Sequence, residues 1–303
     1  MKLPDLAGLL VIDKPVGMMS RAAVDRAGGW FPRKTRIGHT GTLDPLASGV
    51  LVLCIGLATR LTEYVQRMPK VYRAGVTFGA SSDTDDAEGT VTSVSVIQPP
   101  ARAEVDRILC EFLGEVAQVP PAYSAAKVTG RRAYDLARRG EAVSLQARPV
   151  RIHTIYIISY AYPLLEMEVR CGKGTYIRSL ARDLGERLGC GGLIEALRRT
   201  WVGPFGAEGA LTPNADAATA RAALLPLAAA VSGLPRVTLQ ASEIARLRLG
   251  QVIALSGIVV PKMIPEKAKE MAVFDTEGAL IAIVEVDAVK HVLRPAKVLV
   301  VAE

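Results

Sequence analysis

Alternating apolar and polar residues predict β-strands in several segments of the 303-residue chain. The alternation is clearest over residues 71–78, 151–162 and 164–171, and the last two segments are expected to form an antiparallel pair around Pro163. Buried strands are also predicted at residues 8–15, where Pro15 ends the strand, and in the apolar run at residues 49–58. These strands are joined by short connections, so we expect a mixed, mainly antiparallel sheet.

Helical patterns lie between the strands. Ser20 is expected to cap a helix that ends near Ala27. Amphipathic spacing predicts a further helix over residues 104–113, and residues 179–188 and 193–198 are also interpreted as helices. Together with the strands, they predict an α+β fold with helices flanking the sheet.

The chain divides into three parts by composition. Residues 1–210 hold the long strands and are expected to form the main domain. Residues 211–235 are rich in alanine and proline and are interpreted as a helical connector. Residues 236–303 are expected to form a small domain with one helix (242–249) and short strands at 252–255, 272–274, 281–286 and 297–301.

The charge of the chain favours an anionic partner. Lysine and arginine number 37 against 30 aspartates and glutamates, a net charge of +7. From Arg236 onward there are nine basic and eight acidic residues, so almost all of the excess lies in the larger N-terminal part.

Several classes of protein are disfavoured. Four scattered cysteines without a neighbouring histidine fit neither a zinc site nor a disulfide framework, and they indicate free thiols. The longest apolar runs are about half a membrane span, and polar residues interrupt the N-terminus where a signal peptide would be apolar. We therefore expect a cytoplasmic protein without a membrane segment. No metal or cofactor motif is found, so none is expected.

The most informative stretch is residues 38–60, GHTGTLDPLASGVLVLCIGLATR, in which a polar loop runs into an apolar strand. Pro45 biases Asp44 away from helical backbone, and Gly49 ends the loop. Such a loop holds a carboxylate at the edge of a strand. Aspartate before proline is also typical of an ordinary turn, and this alternative stays open on the residues alone.

The motif closely resembles the catalytic-aspartate motif of the TruB family of tRNA pseudouridine synthases. Three other segments resemble further motifs of this family in the expected order: GLLVIDKPVGMMS (8–20), KVYRAGVTFGASSDTDDAEG (70–89) and GKGTYIRSL (172–180). The resemblance implies the pseudouridine synthase fold and isomerisation of uridine 55 in the T-arm of tRNA, without a cofactor. It also implies that Asp44 is the essential carboxylate, that Arg178 pairs with it and that Tyr72 lies against the target base.

The resemblance suggests roles for four more residues. Lys14 would support the floor of the active site, Leu197 would pack against the nucleotide, and Tyr176 would stack in the pocket. His39 would fill the space that the flipped base leaves. Judged alone, Lys14 fits a solvated charge at a strand end, Tyr72 an aromatic of an amphipathic strand, and His39 a turn residue.

Residues 120–148 form a basic segment with tyrosines, including Lys127, Arg131 and Arg132. This mixture is expected of a surface that meets an RNA backbone and exposed bases, although a solvated helix has a similar composition. In the TruB family the corresponding insertion closes over the RNA stem-loop. The C-terminal part resembles the small β-barrel RNA-binding domain known as PUA, by pattern and position.

The resulting hypothesis is a monomeric isomerase whose partner is the T stem-loop of tRNA. Two alternatives remain. A non-catalytic RNA-binding or RNA-folding protein would use the same basic segment, and an RNA-guided synthase of the same superfamily would share Asp44. The appearance of pseudouridine in bare RNA would favour the first hypothesis over both alternatives.

Overall fold

The chain forms two sheets flanked by helices. The computed structural model describes residues 6–124, 127–128, 131–134, 139, 144–255 and 269–299. A nine-stranded mixed sheet forms the body, and a curled five-stranded sheet forms the C-terminal part. The predicted α+β class is confirmed.

The large sheet is almost entirely antiparallel. Its strands are β1 (Gly8–Lys14), β2 (Ile37–His39), β3 (Ala47–Ile55), β4 (Lys70–Phe78), β7 (Gly114–Gln118), β10 (Arg148–Ala161), β11 (Leu164–Cys171), β12 (Gly192–Val202) and β13 (Phe205–Gly206). They follow the order β1-β3-β12-β4-β11-β10-β7, with β2 beside β3 and β13 beside β12. Among the described strands of this sheet, β3 and β12 are the one parallel pair.

Six helices and two small hairpins complete the described architecture, together with the second sheet. The hairpins pair β5 (Ala80–Ser82) with β6 (Val91–Ser93) and β8 (Lys127–Val128) with β9 (Arg131–Arg132). The helices are α1 (Ser20–Gly28), α2 (Thr62–Arg67), α3 (Arg102–Cys110), α4 (Ile177–Arg187), α5 (Ala217–Ala222) and α6 (Ala241–Arg248), with 3-10 turns at Gly56–Leu61 and Leu227–Val231.

One face of the large sheet packs against helices and forms the main core. In β4, Tyr72, Ala74, Val76 and Phe78 are buried on this face while Arg73 is exposed on the other, as the period of two predicts. Apolar side chains of α1, α3 and α4 cover the buried face. Each large apolar side chain removed from water here contributes about 1.5–3 kcal/mol.

The predicted helix over residues 193–198 is wrong, because these residues belong to β12. Leu197 pairs with Ala47 of β3 on one side and Ala74 of β4 on the other, so the segment is a central strand. Its leucine, glutamate, alanine and arginine residues are good helix formers, but sheet pairing outweighs that weak preference. Two register irregularities in its pairing with β4 also break the period of two that would have identified a strand.

Ser20 does not cap α1. Met19 is the N-cap residue and no side chain caps the helix. The Ser20 hydroxyl instead donates to the Leu43 carbonyl at 2.9 Å and accepts from the Leu43 N–H at 2.8 Å. Ser20 therefore anchors the loop that carries Asp44.

Residues 211–235 run along the body. The backbone of Leu225 exchanges hydrogen bonds of 2.9 and 2.8 Å with that of Leu9, and Leu211 donates to the Val11 carbonyl at 2.9 Å. The segment thus extends the hydrogen bonding of β1 in addition to linking the two sheets.

The C-terminal sheet has the order β14-β16-β17-β18-β15. Its strands are β14 (Arg236–Thr238), β15 (Ile253–Ala254), β16 (Glu270–Phe274), β17 (Leu280–Asp287) and β18 (Val292–Val298). The predicted helix and four short strands have counterparts here, although β18 begins five residues before the predicted start. The strand β14 was not predicted.

The two sheets share a second apolar core. It joins Leu61 and Val65 of the body to Phe274, Ile283 and Leu299 of the C-terminal part. Polar contacts surround it: the hydroxyl of Tyr64 and a guanidinium nitrogen of Arg67 each donate to Glu270 at 2.9 Å. The C-terminal part is therefore packed against the body.

Gly49 allows the Asp44 loop to join β3. Its φ is +102°, and a Cβ at this position would lie 2.1 Å from the Arg199 carbonyl oxygen. We expect Gly49→Ala to lower the free energy of unfolding by about 2–4 kcal/mol, because the backbone of two paired strands would have to separate. Chemical denaturation measures this change. Gly38→Ala is the matched control, since its Cβ would meet nothing within 4 Å; equal losses in the two variants would contradict the account.

Candidate active site

A pocket of about 240 Å³ opens where the loop before β3 meets β4, β12 and the start of α4. Its lining includes Asp44, Tyr72, Tyr176, Arg178 and Leu197, which come from four separate regions of the sequence. Sheet order explains this convergence, because β12 lies between β3 and β4. The structure thus brings together five of the predicted site residues.

Asp44 and Arg178 form an ion pair in this pocket. Nε of Arg178 lies 3.0 Å from Oδ2 of Asp44, and the arginine side chain is 5% exposed against 36% for the aspartate. The Nε–H is not aligned for a hydrogen bond and has no acceptor among the described residues. Asp44 is therefore held by charge, with part of its carboxylate open to the pocket.

The surroundings of Asp44 act on its pKa in opposite directions. Burial raises the pKa of Asp44, because a charged carboxylate loses hydration. The Arg178 guanidinium lowers it, and the nearby Asp86 carboxylate raises it further. Burial has the largest effect, so the pKa of Asp44 is raised.

Arg178 is fixed by three further acceptors that the sequence analysis did not identify. Its Nη1 donates to Asp86 at 2.9 Å and to the Thr84 carbonyl at 2.8 Å, and its Nη2 donates to the Tyr123 carbonyl at 2.9 Å. The Asp86 side chain is 4% exposed. Asp86 is thus a second buried counter-charge, and the acidic turn at residues 81–89 was the signal in the sequence that could have indicated it.

Arg199 is the second buried arginine near the pocket, and it was also missed. Its guanidinium donates to the Val50 carbonyl at 2.7 Å and the Gly41 carbonyl at 3.0 Å, so it ties together both ends of the Asp44 loop. It also lies 3.5 Å from the Tyr72 hydroxyl. Burial raises the pKa of Tyr72, with Arg199 acting against it, so the phenol is neutral at neutral pH.

Two buried lysines support the site. The Lys14 ammonium donates to the Pro15 carbonyl at 2.9 Å and the Met18 carbonyl at 2.7 Å, and the residue has no exposed surface. It therefore stabilises the turn after β1 from within the protein. Lys70 lines the pocket and donates to the Gln66 and Met68 carbonyls. Burial lowers the pKa of each lysine to about 8.

Among the predicted site residues whose side chains are described, Lys14 and His39 are not part of the lining of this pocket. His39 is half-buried at the end of β2 and pairs with Leu53 across the sheet. Lys127 and Arg131 lie in the small hairpin, where Lys127 pairs with Arg132. The side chains of these three hairpin residues are outside the described part of the chain.

Two kinds of feature are absent from the described residues. Within the described ranges, no group of three or more histidine, cysteine, aspartate or glutamate side chains is arranged to hold a metal ion. No helix of the described residues is long and apolar enough to cross a membrane.

The fold is shared with solved protein structures. "Structure of H/ACA RNP bound to a substrate RNA containing 2'-deoxyuridine" matches with a TM-score of 0.74 and 22% identity, covering 99% of this chain and 92% of that one. "Crystal Structure of a Cbf5-Nop10-Gar1 Complex" matches with a TM-score of 0.75 and 24% identity, covering 98% of this chain and 85% of that one. At these identities the likeness defines the fold.

Sequence comparison defines the family. The family model "TruB family pseudouridylate synthase (N terminal domain)" matches residues 30–177, and "tRNA pseudouridylate synthase B C-terminal domain" matches residues 178–232. The chain belongs to the TruB family of pseudouridylate synthases.

Curated relatives agree with this assignment. The chain is 42% identical over 289 residues to tRNA pseudouridine synthase B of Xanthomonas campestris pv. campestris (strain B100), covering 93% of this chain and 91% of the relative. It is 41% identical over 293 residues to the protein of the same name from Sinorhizobium medicae (strain WSM419), covering 93% and 92%. Both alignments span nearly the whole of each protein.

Proposed function

We propose that this chain isomerises uridine 55 in the T-loop of tRNA to pseudouridine. The observation that carries the proposal is the Asp44 carboxylate, partly open to a pocket and 3.0 Å from a buried guanidinium. Family membership and the relatives named tRNA pseudouridine synthase B support the same reaction.

The reaction moves the bond to the ribose C1′ from N1 of uracil to C5. The C5 proton leaves and N1 gains a proton, so the atoms balance without an oxidant, a reductant or a cofactor. Asp44 is proposed to supply the nucleophile or base that this rearrangement needs. Arg178 keeps it charged, and the partial burial of the carboxylate limits its hydration.

The target base must leave its stack to reach Asp44, at a cost of about a few kcal/mol. Tyr72, Tyr176 and Leu197 are proposed to offset this cost through stacking and packing on the flipped base, since all three line the pocket. His39 is proposed to fill the vacated space in the RNA. Lys14 is proposed to act indirectly, through the turn that its ammonium holds.

Binding of the T stem-loop is proposed to involve the basic segment 120–148, with Lys127, Arg131 and Arg132 near phosphates. Positive charge concentrated in the N-terminal part supports this. We further propose three functional parts: a catalytic domain (1–210), a connector (211–235) and a PUA-like RNA-binding domain (236–303).

Conversion should fall as the pH is lowered. A carboxylate must be ionised to act as a nucleophile or base, and its activity is lost as the pH falls through its pKa. Because burial raises the pKa of Asp44 above the ordinary 3.8, the acid side of the rate profile should have its midpoint above pH 3.8. Single-turnover rates at a series of pH values, with RNA binding and folding checked at each, test this. A flat profile down to the pH of unfolding would contradict it.

Release of tritium from C5 of the target uridine tests the function itself. Purified protein is incubated with a T-arm hairpin labelled only at that uridine, and with a matched hairpin labelled at a stem uridine. We expect release from the first hairpin alone, without a guide RNA. Binding without release would indicate an RNA-binding protein, and release only after adding guide RNA and partner proteins would indicate an RNA-guided synthase.

A further inference from the structure

A buried glutamine holds the backbone of Tyr176 at the pocket. The Gln118 side-chain N–H donates to the Tyr176 carbonyl at 3.0 Å, and its side-chain oxygen accepts from the Tyr176 N–H at 2.8 Å. Gln118 is 3% exposed and is the last residue of β7. One carboxamide therefore satisfies both backbone polar groups of Tyr176.

The loop before α4 has few other hydrogen bonds: the Tyr176 carbonyl also accepts from the Leu180 N–H at 3.1 Å, and the Thr175 hydroxyl donates to the Gly172 carbonyl at 3.2 Å. Gly174, two residues before Tyr176, has a φ of +86°, and a Cβ there would meet nothing within 4 Å. Tyr176 itself has extended backbone at the N-cap position of α4, and no side chain caps the helix. Bonds to both the N–H and the carbonyl of one residue restrict its φ and ψ, which set the direction of its side chain.

Gln118 is in turn rigidly held. It pairs with Arg148 of β10. The next carbonyl, that of Val119, accepts from the Ser179 hydroxyl at 2.8 Å and from Arg182 at 2.9 Å, both on α4. The end of β7 is thus fastened to the sheet on one side and to the helix on the other.

We propose that Gln118 is a positioning residue that directs the Tyr176 side chain into the pocket for contact with the flipped uridine. The proposal rests on the proposed function. Gln118 also lies two residues before the basic segment 120–148. The same side chain therefore ties the start of the proposed RNA-contacting segment to the wall of the pocket.

Loss of the two hydrogen bonds between Gln118 and Tyr176 should lower the rate of conversion strongly, because it would displace a side chain that is proposed to contact the substrate. Displacement of a group in an active site by about 1 Å costs on the order of 100-fold in rate. We expect Gln118→Ala and Gln118→Met to lower single-turnover conversion about 10–100-fold. The methionine variant fills most of the volume of the glutamine, so the loss does not require a cavity.

Ser179→Ala is the matched control. It removes an equally buried hydrogen bond to the neighbouring residue Val119 and leaves both Tyr176 bonds in place. We expect its conversion rate to stay within about 3-fold of the parent, because the remaining Arg182 bond keeps Val119 in position.

A double-mutant cycle separates positioning from general support of the fold. In a Tyr176→Ala background there is no phenol to direct, so Gln118→Ala should cause little additional loss of rate. Hydrogen exchange of the Tyr176 amide should be faster in both Gln118 variants and unchanged in Ser179→Ala. The exchange measurement needs no turnover, so it reports on the hydrogen bonds whether or not the proposed reaction occurs.

Loss of rate in both Gln118 variants, absent from the Tyr176→Ala background and accompanied by faster exchange, supports the proposal. Parent-like conversion by the Gln118 variants, despite faster exchange, would overturn the proposal. It would also be overturned if Gln118→Ala lowered the rate as much in the Tyr176→Ala background as in the parent protein. Unchanged exchange would also overturn it, since the hydrogen bonds would then not hold the Tyr176 backbone. An inactive parent protein would overturn the proposed function and the catalytic part of the inference together, while the exchange data would still test the bonding.

Discussion

Asp44→Asn is expected to bind T-arm RNA as well as the parent protein and to convert it at least about 10⁴-fold more slowly. Asparagine keeps the size of the side chain and removes the charge and the reactive carboxylate. The fold should survive, because Arg178 keeps Asp86 at 2.9 Å as a counter-charge. Binding should also survive, since phosphate contacts dominate the affinity of proteins for RNA.

Single-turnover conversion and equilibrium binding, measured on the same preparation, test this separation. Asp25→Asn is a suitable control, because Asp25 forms an exposed ion pair with Arg21 on α1, away from the pocket. A comparable rate in Asp44→Asn, with contaminating synthase excluded, would make Asp44 the turn residue that the aspartate-proline pair also fits.

Arg178→Ala should lower conversion by about 10³-fold and also destabilise the fold. The substitution leaves Asp86 as an unpaired buried carboxylate, which typically costs about 3–5 kcal/mol of stability. Arg178→Lys should restore the charge without restoring the rate, and we expect it to remain at least about 30-fold slower than the parent. A lysine has one nitrogen in place of the fork that reaches Asp44, Asp86 and two carbonyl groups.

Thermal unfolding and single-turnover conversion of both variants separate the two effects. Arg187→Lys on the same helix is the matched control, since Arg187 is exposed and pairs with Glu111. A parent-like rate in Arg178→Lys would show that charge alone suffices and that the planar guanidinium is not needed.

Strands were predicted well where one face of the strand is buried and the other is exposed to solvent. In β4 and β11 the alternation is visible in the sequence because exposed positions carry polar residues such as Arg73 and Glu166. The strand β12 is buried among its neighbours and interrupted by register irregularities, so its sequence shows no period of two. Its strand conformation is set by pairing with β3 and β4, which the local sequence does not reveal.

The sequence predicted the main residues of the candidate site but not the contacts between them. Asp44, Tyr72, Tyr176, Arg178 and Leu197 followed from a resemblance between motifs, and they line one pocket. Their proximity depends on strand order, which no single segment encodes.

The residues that support the site were missed because burial cannot be inferred from their type. Asp86 and Arg199 are charged residues that ordinarily lie on surfaces, and a glutamine at the end of an edge strand is unremarkable in sequence. Each becomes informative only when its burial and its partners are known. The acidic residues around Asp86 are visible in the sequence, but their contact with α4 was not predicted.

The most direct test of the proposed function is the mapping of pseudouridine along a whole unmodified tRNA transcript. The transcript is incubated with the purified protein alone, and every uridine is examined for conversion before and after the reaction. The account predicts pseudouridine at position 55 in nearly every molecule and none at the other uridines. Absence of pseudouridine, or conversion spread over other positions, would contradict it.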